Sequence, residues 1–166
     1  QARALRRTAE RACAEGDWQG ASESLDGACL LLGRLRDPEA DAVLAEVRSA
    51  QAAIPRQRLE QAWRSAQAAF DAEDWEDAEA KLDMVDYYVR DAESSGSEVG
   101  EIQQASAKLR RQSIIHRALA AKSLGEALTE THGFGEADAQ FAQALHILAT
   151  LKDDAVHIHQ DGIHGS

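Results

Sequence analysis

The stretch Ala14-Glu15-Gly16-Asp17-Trp18-Gln19-Gly20-Ala21 decides the fold, because the chain uses it again. It returns as Asp71-Ala72-Glu73-Asp74-Trp75-Glu76-Asp77-Ala78 and, more weakly, as Thr131-His132-Gly133-Phe134-Gly135-Glu136-Ala137. The aromatic anchors Trp18, Trp75 and Phe134 lie 57 and 59 residues apart. Behind each anchor runs one ladder: Ala21, Leu25, Ala28; then Ala78, Leu82, Val85; then Ala137, Phe141, Ala144. Ahead of each runs another: Leu5, Ala9, Ala12; then Ala62, Ala66, Ala69; then Ala121, Gly125, Leu128. Steps of three and four are the period of an amphipathic helix. The predicted unit is therefore a helix, a tight turn and a second helix. Small ladder residues let two antiparallel helices approach closely, and Leu25, Leu82 and Phe141 are expected to fill the space between hairpins. Asp17 and Asp74 suit the N-cap position, with Trp as the first helical residue. A core aromatic at each turn is the expected role of Trp18 and Trp75.

Composition points the same way. Of 166 residues, 33 are Ala, against 11 Gly and 2 Pro, a balance that favours helix and leaves too few strand formers for a sheet. The fold class expected is all-α, as one domain over 1–166 with repeat units near 1–54, 55–113 and 114–166. A net charge of −11 speaks against a phosphate-backbone binder, so nucleic acid is not an expected partner. No apolar run approaches the roughly 20 residues of a membrane span, and no signal-like segment opens the chain. The first residue is Gln1 rather than Met, so a processed or excised chain is expected, one that need not carry its localisation signals. Cys13 and Cys29 fall on opposite sides of the first turn, too far along their helices for a disulfide. They are expected as small buried hydrophobes in a reducing, cytoplasmic setting.

The hairpin pattern resembles the tetratricopeptide repeat, a helix-turn-helix unit that stacks into a superhelix. Leu124-Gly125, Leu128, Ala137, Phe141 and Ala144 carry the resemblance best. Gly16-Asp17-Trp18, Ala21, Leu25 and Ala28 carry it in the first copy, and Asp74-Trp75, Ala78, Leu82 and Val85 in the second. Tetratricopeptide units repeat at about 34 residues, so each copy here holds roughly 24 more. The extra segments, about 37–55 and 94–114, keep a helix period through Leu44, Val47, Gln51 and Ile54, and through Ile102, Ala105 and Leu109. Asp37-Pro38 supplies a helix start, and Ser94-Ser95-Gly96-Ser97 a loop. Pro55 disfavours helix at Ile54 and removes a hydrogen bond, so a break or kink is expected there. Arg111-Gln112-Ser113-Ile114 holds no breaker, and one helix from about Ser97 to about Thr131 is expected. Two architectures follow. The expected one stacks tetratricopeptide-like hairpins as an α-solenoid with long, kinked helices; the alternative is a spectrin-like staircase of three-helix levels.

No glycine-rich phosphate loop, His-Glu-x-x-His helix, nucleophile elbow or Cys-x-x-Cys pair is present, so no catalytic residue, cofactor or metal ligand is assigned. His157, His159 and His164 are expected in a frayed polar tail, since helical neighbours two apart do not share a face. A metal-responsive regulator acting through them is the third functional reading. His146 alternates with apolar residues and is expected to be packed. Charge is uneven: twelve acids and two bases lie between Asp71 and Glu101, and five bases and no acid between Lys108 and Lys122. Arg3, Arg6, Arg7 and Arg11 make a second basic stripe. Solvated faces with cross-helix pairing are expected, the other reading being a polarised surface that orients a partner.

In tetratricopeptide domains the first helix of each pair lines a concave peptide groove. The resemblance puts Arg6 (with Arg3 and Glu10), then Trp63, Arg64, Gln67 and Phe70, then Lys122 and Glu126 (with Thr129) on that face. Members that grip a chaperone carboxylate use Lys and Asn there; Glu10, Gln67 and Glu126 depart from this pattern. Trp63 is the one Trp outside the anchors, either exposed as a groove hot spot or packed against the extra helices. The expected function is a non-enzymatic scaffold that binds a protein or peptide segment, with a self-associating homodimer as the alternative.

Overall fold

The computed structural model describes residues 1–35 and 38–161, with side chains as far as Leu151. It is all-α: α1 Ala2–Glu15, α2 Trp18–Leu32, α3 Pro38–Asp71, α4 Trp75–Ser94, α5 Gly100–Glu130 and α6 Phe134–Asp161. The anchors Trp18, Trp75 and Phe134 are the first residues of α2, α4 and α6.

Each anchor follows the same turn. Gly16, Glu73 and His132 adopt left-handed backbone, with φ of 78°, 60° and 63°. Their N–H groups bond the carbonyls of Cys13, Phe70 and Thr129, and the next residues, Asp17, Asp74 and Gly133, bond Ala12, Ala69 and Leu128. That pair of bonds satisfies the last carbonyls of the preceding helix and reverses the chain. The following helix starts at once: Asp17 Oδ1 accepts from Gly20 N at 2.9 Å and Asp74 Oδ1 from Asp77 N at 3.1 Å. Gly133 has no side chain to cap with, yet Ala137 N still bonds its carbonyl at 2.9 Å.

Of the break or kink expected at Pro55, a break does not occur, for α3 runs through it. A proline inside a helix costs about 3 kcal/mol. Tertiary packing overrides that local preference: Val47, Ile54 and Leu59, on both sides of the ring, are all buried. The second extra segment is continuous as expected, α5 starting at Gly100 after a loop in which Gly96 takes φ of 78°.

The chain divides into two compact units, one of Gln1–Ala62 with Tyr87–Val99, the other of Trp63–Asp86 with the chain from Gly100 onward. In the first, α1 packs along α2, and Ala9, Ala12, Ala21, Leu25 and Ala28 form a core with Val47 and Ile54 of α3. Full burial of Leu25 contributes roughly 1.5–3 kcal/mol. In the second, α5 packs along α6, with Ile114 and Ala118 against Ile147. The two helices approach so closely that a Cβ on Gly125 would meet the Phe141 ring at 2.9 Å.

Several side chains are more open than expected. Trp18 and Trp75 are half-buried rather than core; Phe134, for which no burial was expected, is 60% exposed beside the His132 ring. His146 is exposed rather than packed, because Ala144 and Ile147 take the inward face of α6. Cys13 and Cys29 are free thiols, as their spacing requires, and half-buried; burial pushes the Cys13 thiol up.

Glu73 and His132 hold a conformation that suits glycine, whereas Gly16 holds it without strain. Glu73→Gly and His132→Gly are each expected to raise stability by about 1 kcal/mol, and Gly16→Ala to lower it by a similar amount. Urea midpoints of the three variants check this.

Candidate functional site

The face singled out by the sequence lies mainly on the second half of α3. Ala66 and Ala69 are buried there and fix which side of the helix turns inward. Trp63, Gln67 and Phe70 then follow one another at four and three residues, with Arg64 alongside. Trp63 is half-buried, while Arg64 and Gln67 are exposed. Phe70 is half-buried and held: its ring meets Trp75 edge-on at 5.1 Å and His116 of α5 at 5.9 Å. Trp75 stacks on the same imidazole at 4.7 Å and 16°. This aromatic trio closes one end of the face.

Lys122 and Glu126 of α5 are brought together as an exposed ion pair of 2.8 Å. Arg6 belongs to the first unit, on α1, where the carboxylates of Glu10 and Glu46 both bind it and raise its pKa. A guanidinium engaged twice is a weak hook for a further anion. Trp75 and His116 join Phe70 unannounced by the pattern, since His116 sits among the basic residues of α5 and shares no ladder with α3. His157, His159 and His164 lie outside the described side chains. Among the described residues no group of three His, Cys, Asp or Glu side chains could hold a metal ion. No helix there is long and apolar enough to cross a membrane.

Part of the uneven charge is taken up in cross-helix pairs. Glu79, Asp83 and Asp86 stand one turn apart on α4 and face bases of α5: Arg117 meets Glu79 at 3.0 Å, and Arg110 meets Asp83 at 2.8 Å and Asp86 at 2.7 Å. On α1, Arg3 and Arg6 reach Glu39 and Glu46 of α3. The Glu79–Arg117 pair is the most enclosed, with side chains 20% and 28% exposed. Glu79 Oε1, Arg117 Nε and Ser113 Oγ are buried without a hydrogen-bond partner. This polar seam is expensive to desolvate, so it supports the helix register more than it adds stability.

Compared with known proteins, the chain matches no family model, and no curated protein or solved structure is significantly similar to it.

Burial pushes the Glu79 carboxyl above its ordinary range, against the opposing pull of Arg117 and Arg110. The folded chain thus holds that proton more tightly than the unfolded chain. Glu79 therefore favours folding most below the ordinary glutamate value, about 4.3, and that contribution disappears as pH rises through the raised value. Across this window the wild type is expected to lose stability relative to Glu79→Gln as pH rises. Urea midpoints of both proteins between about pH 4 and 7 measure it, and a pH-independent difference would refute the burial effect.

Proposed function

We propose that the protein is a non-enzymatic scaffold of tetratricopeptide-like type, recognising a protein or peptide segment through the α3 face around Trp63. The observation that carries this reading is the half-buried indole of Trp63 beside exposed Arg64 and Gln67, bounded by the Phe70–Trp75–His116 trio. A half-buried indole offers a large contact area at little entropic cost, as interface hot spots do. Arg64 and Gln67 add donors that orient a bound backbone. The three hairpin turns, closed by equivalent hydrogen bonds, support a tetratricopeptide-like unit. A cytoplasmic setting, with no nucleic acid, membrane or cofactor required, belongs to the same proposal.

Self-association is the second reading, favoured by the outer side of α6. Leu145 and Leu148 there are 70% and 40% exposed, and Phe134 at the start of the same helix is exposed too. Sedimentation separates the two readings: a scaffold runs as a monomer, and a homodimer runs as one that Leu145→Glu converts to monomer.

Trp63→Ala is expected to lower affinity for a captured partner by at least ~2 kcal/mol while changing the urea midpoint little. A fully packed indole would behave oppositely, costing about 3–5 kcal/mol of stability. Parallel measurement of midpoint and affinity decides which role Trp63 has.

A further inference from the structure

We propose that the first unit binds a lysine or arginine side chain of a peptide in the cleft beside Pro55. The cleft, about 350 Å³, is roomy enough for one long side chain, and α2, α3 and α4 all contribute to it. Its apolar walls are the indole of Trp18 and the ring of Pro55. Its polar lining sets several acceptors beside one cation, Arg58. Proline has no N–H, so the carbonyl of Gln51 lacks its helical donor, and Gln51 and Pro55 both border the cleft. Gln19 donates its amide to Glu23 at 2.9 Å, which leaves the amide oxygen to accept, and Ser22 adds a hydroxyl. Asp91 adds a carboxylate.

The cation already present does not satisfy these groups. Arg58 lies over the Tyr88 ring at 4.9 Å and reaches Asp91 only at 3.6 Å, beyond hydrogen-bond distance. Asp91 therefore keeps accepting capacity for a second cation. A lysine or arginine entering here would place its stem along Pro55 and its charge between the Trp18 face, the Asp91 carboxylate and the freed carbonyl. The net charge of −11 attracts such a segment from a distance. A helix-interior proline that weakens its own helix while opening an acceptor is the kind of local conflict found at functional sites. This site is separate from the Trp63 face and stands or falls without it.

The test uses the peptide acetyl-Ala-Arg-Ala-amide, with citrulline and glutamate versions as neutral and anionic controls, titrated by calorimetry against the full chain. Binding is expected for arginine, and much less for citrulline or glutamate. Pro55→Ala restores the donor to the Gln51 carbonyl, so it should raise the melting temperature and weaken arginine binding about tenfold or more. Loss of affinity in a more stable protein cannot come from unfolding. If Pro55→Ala loses its helical circular dichroism, Asp91→Asn is the deciding variant, with the same expected loss. Unchanged affinity in the deciding variant, or equal binding of citrulline, overturns the proposal. Tighter binding of the glutamate peptide also overturns it, by making Arg58 the recognising group. Arginine binding that survives Pro55→Ala and Asp91→Asn but vanishes in Trp63→Ala would refute this site while leaving the scaffold reading intact.

Discussion

Much of the structure depends on a reversal made by a single left-handed residue. Once Gly16, Glu73 or His132 takes positive φ, two backbone bonds close the old helix and the next begins within two residues. A connection that short forces the two helices to lie side by side. They can do so only if their facing positions are small, which is why Ala9, Ala12, Ala21 and Ala28 occupy the contact in α1 and α2. In α5 the same demand is met by Gly125, whose missing Cβ is replaced by the Phe141 ring. The abundance of alanine is thus a consequence of turn geometry as much as of helix propensity.

Charge has an equally local explanation. Three acids of α4 and two bases of α5 are turned toward each other, as Glu79–Arg117 and the two carboxylates on Arg110. Desolvation makes such a seam costly to bury, and removing either Glu79 or Arg117 would leave the other enclosed without its partner. The scaffold proposed here would then rely on this seam to keep α4 and α5 in one arrangement when a partner binds.

What could be read in advance follows the range of the forces involved. The hairpins were legible because their signals are local: an Asp cap, a small-residue ladder, and Gly16 at a position that needs positive φ. Glu73 and His132 carry no such signal, and only alignment with Gly16 places their turns. The continuity of α3 was hidden because Pro55 argues for a break over a few residues, whereas Val47, Ile54 and Leu59 argue against it through contacts distant in sequence. The exposure of His146 was hidden for a related reason. A period of three or four marks two neighbouring stripes on α6, and the spacing alone does not say which is covered. Trp63, Gln67 and Phe70 could be placed on one face by period, but the imidazole of His116 arrives from another helix.

The pairing of sequence neighbours also bears on kinetics. Within the two units, α1 packs along α2 and α5 along α6, and these pairs are joined by connections of only two and three residues. Bringing them together costs little loop-closure entropy, because few residues must be ordered before the first contacts form. Helical proteins dominated by such nearby contacts fold in microseconds to milliseconds. Each end of the chain therefore carries a hairpin able to form early, and the turn at Glu73 joins the long α3 and α4 over an equally short connection.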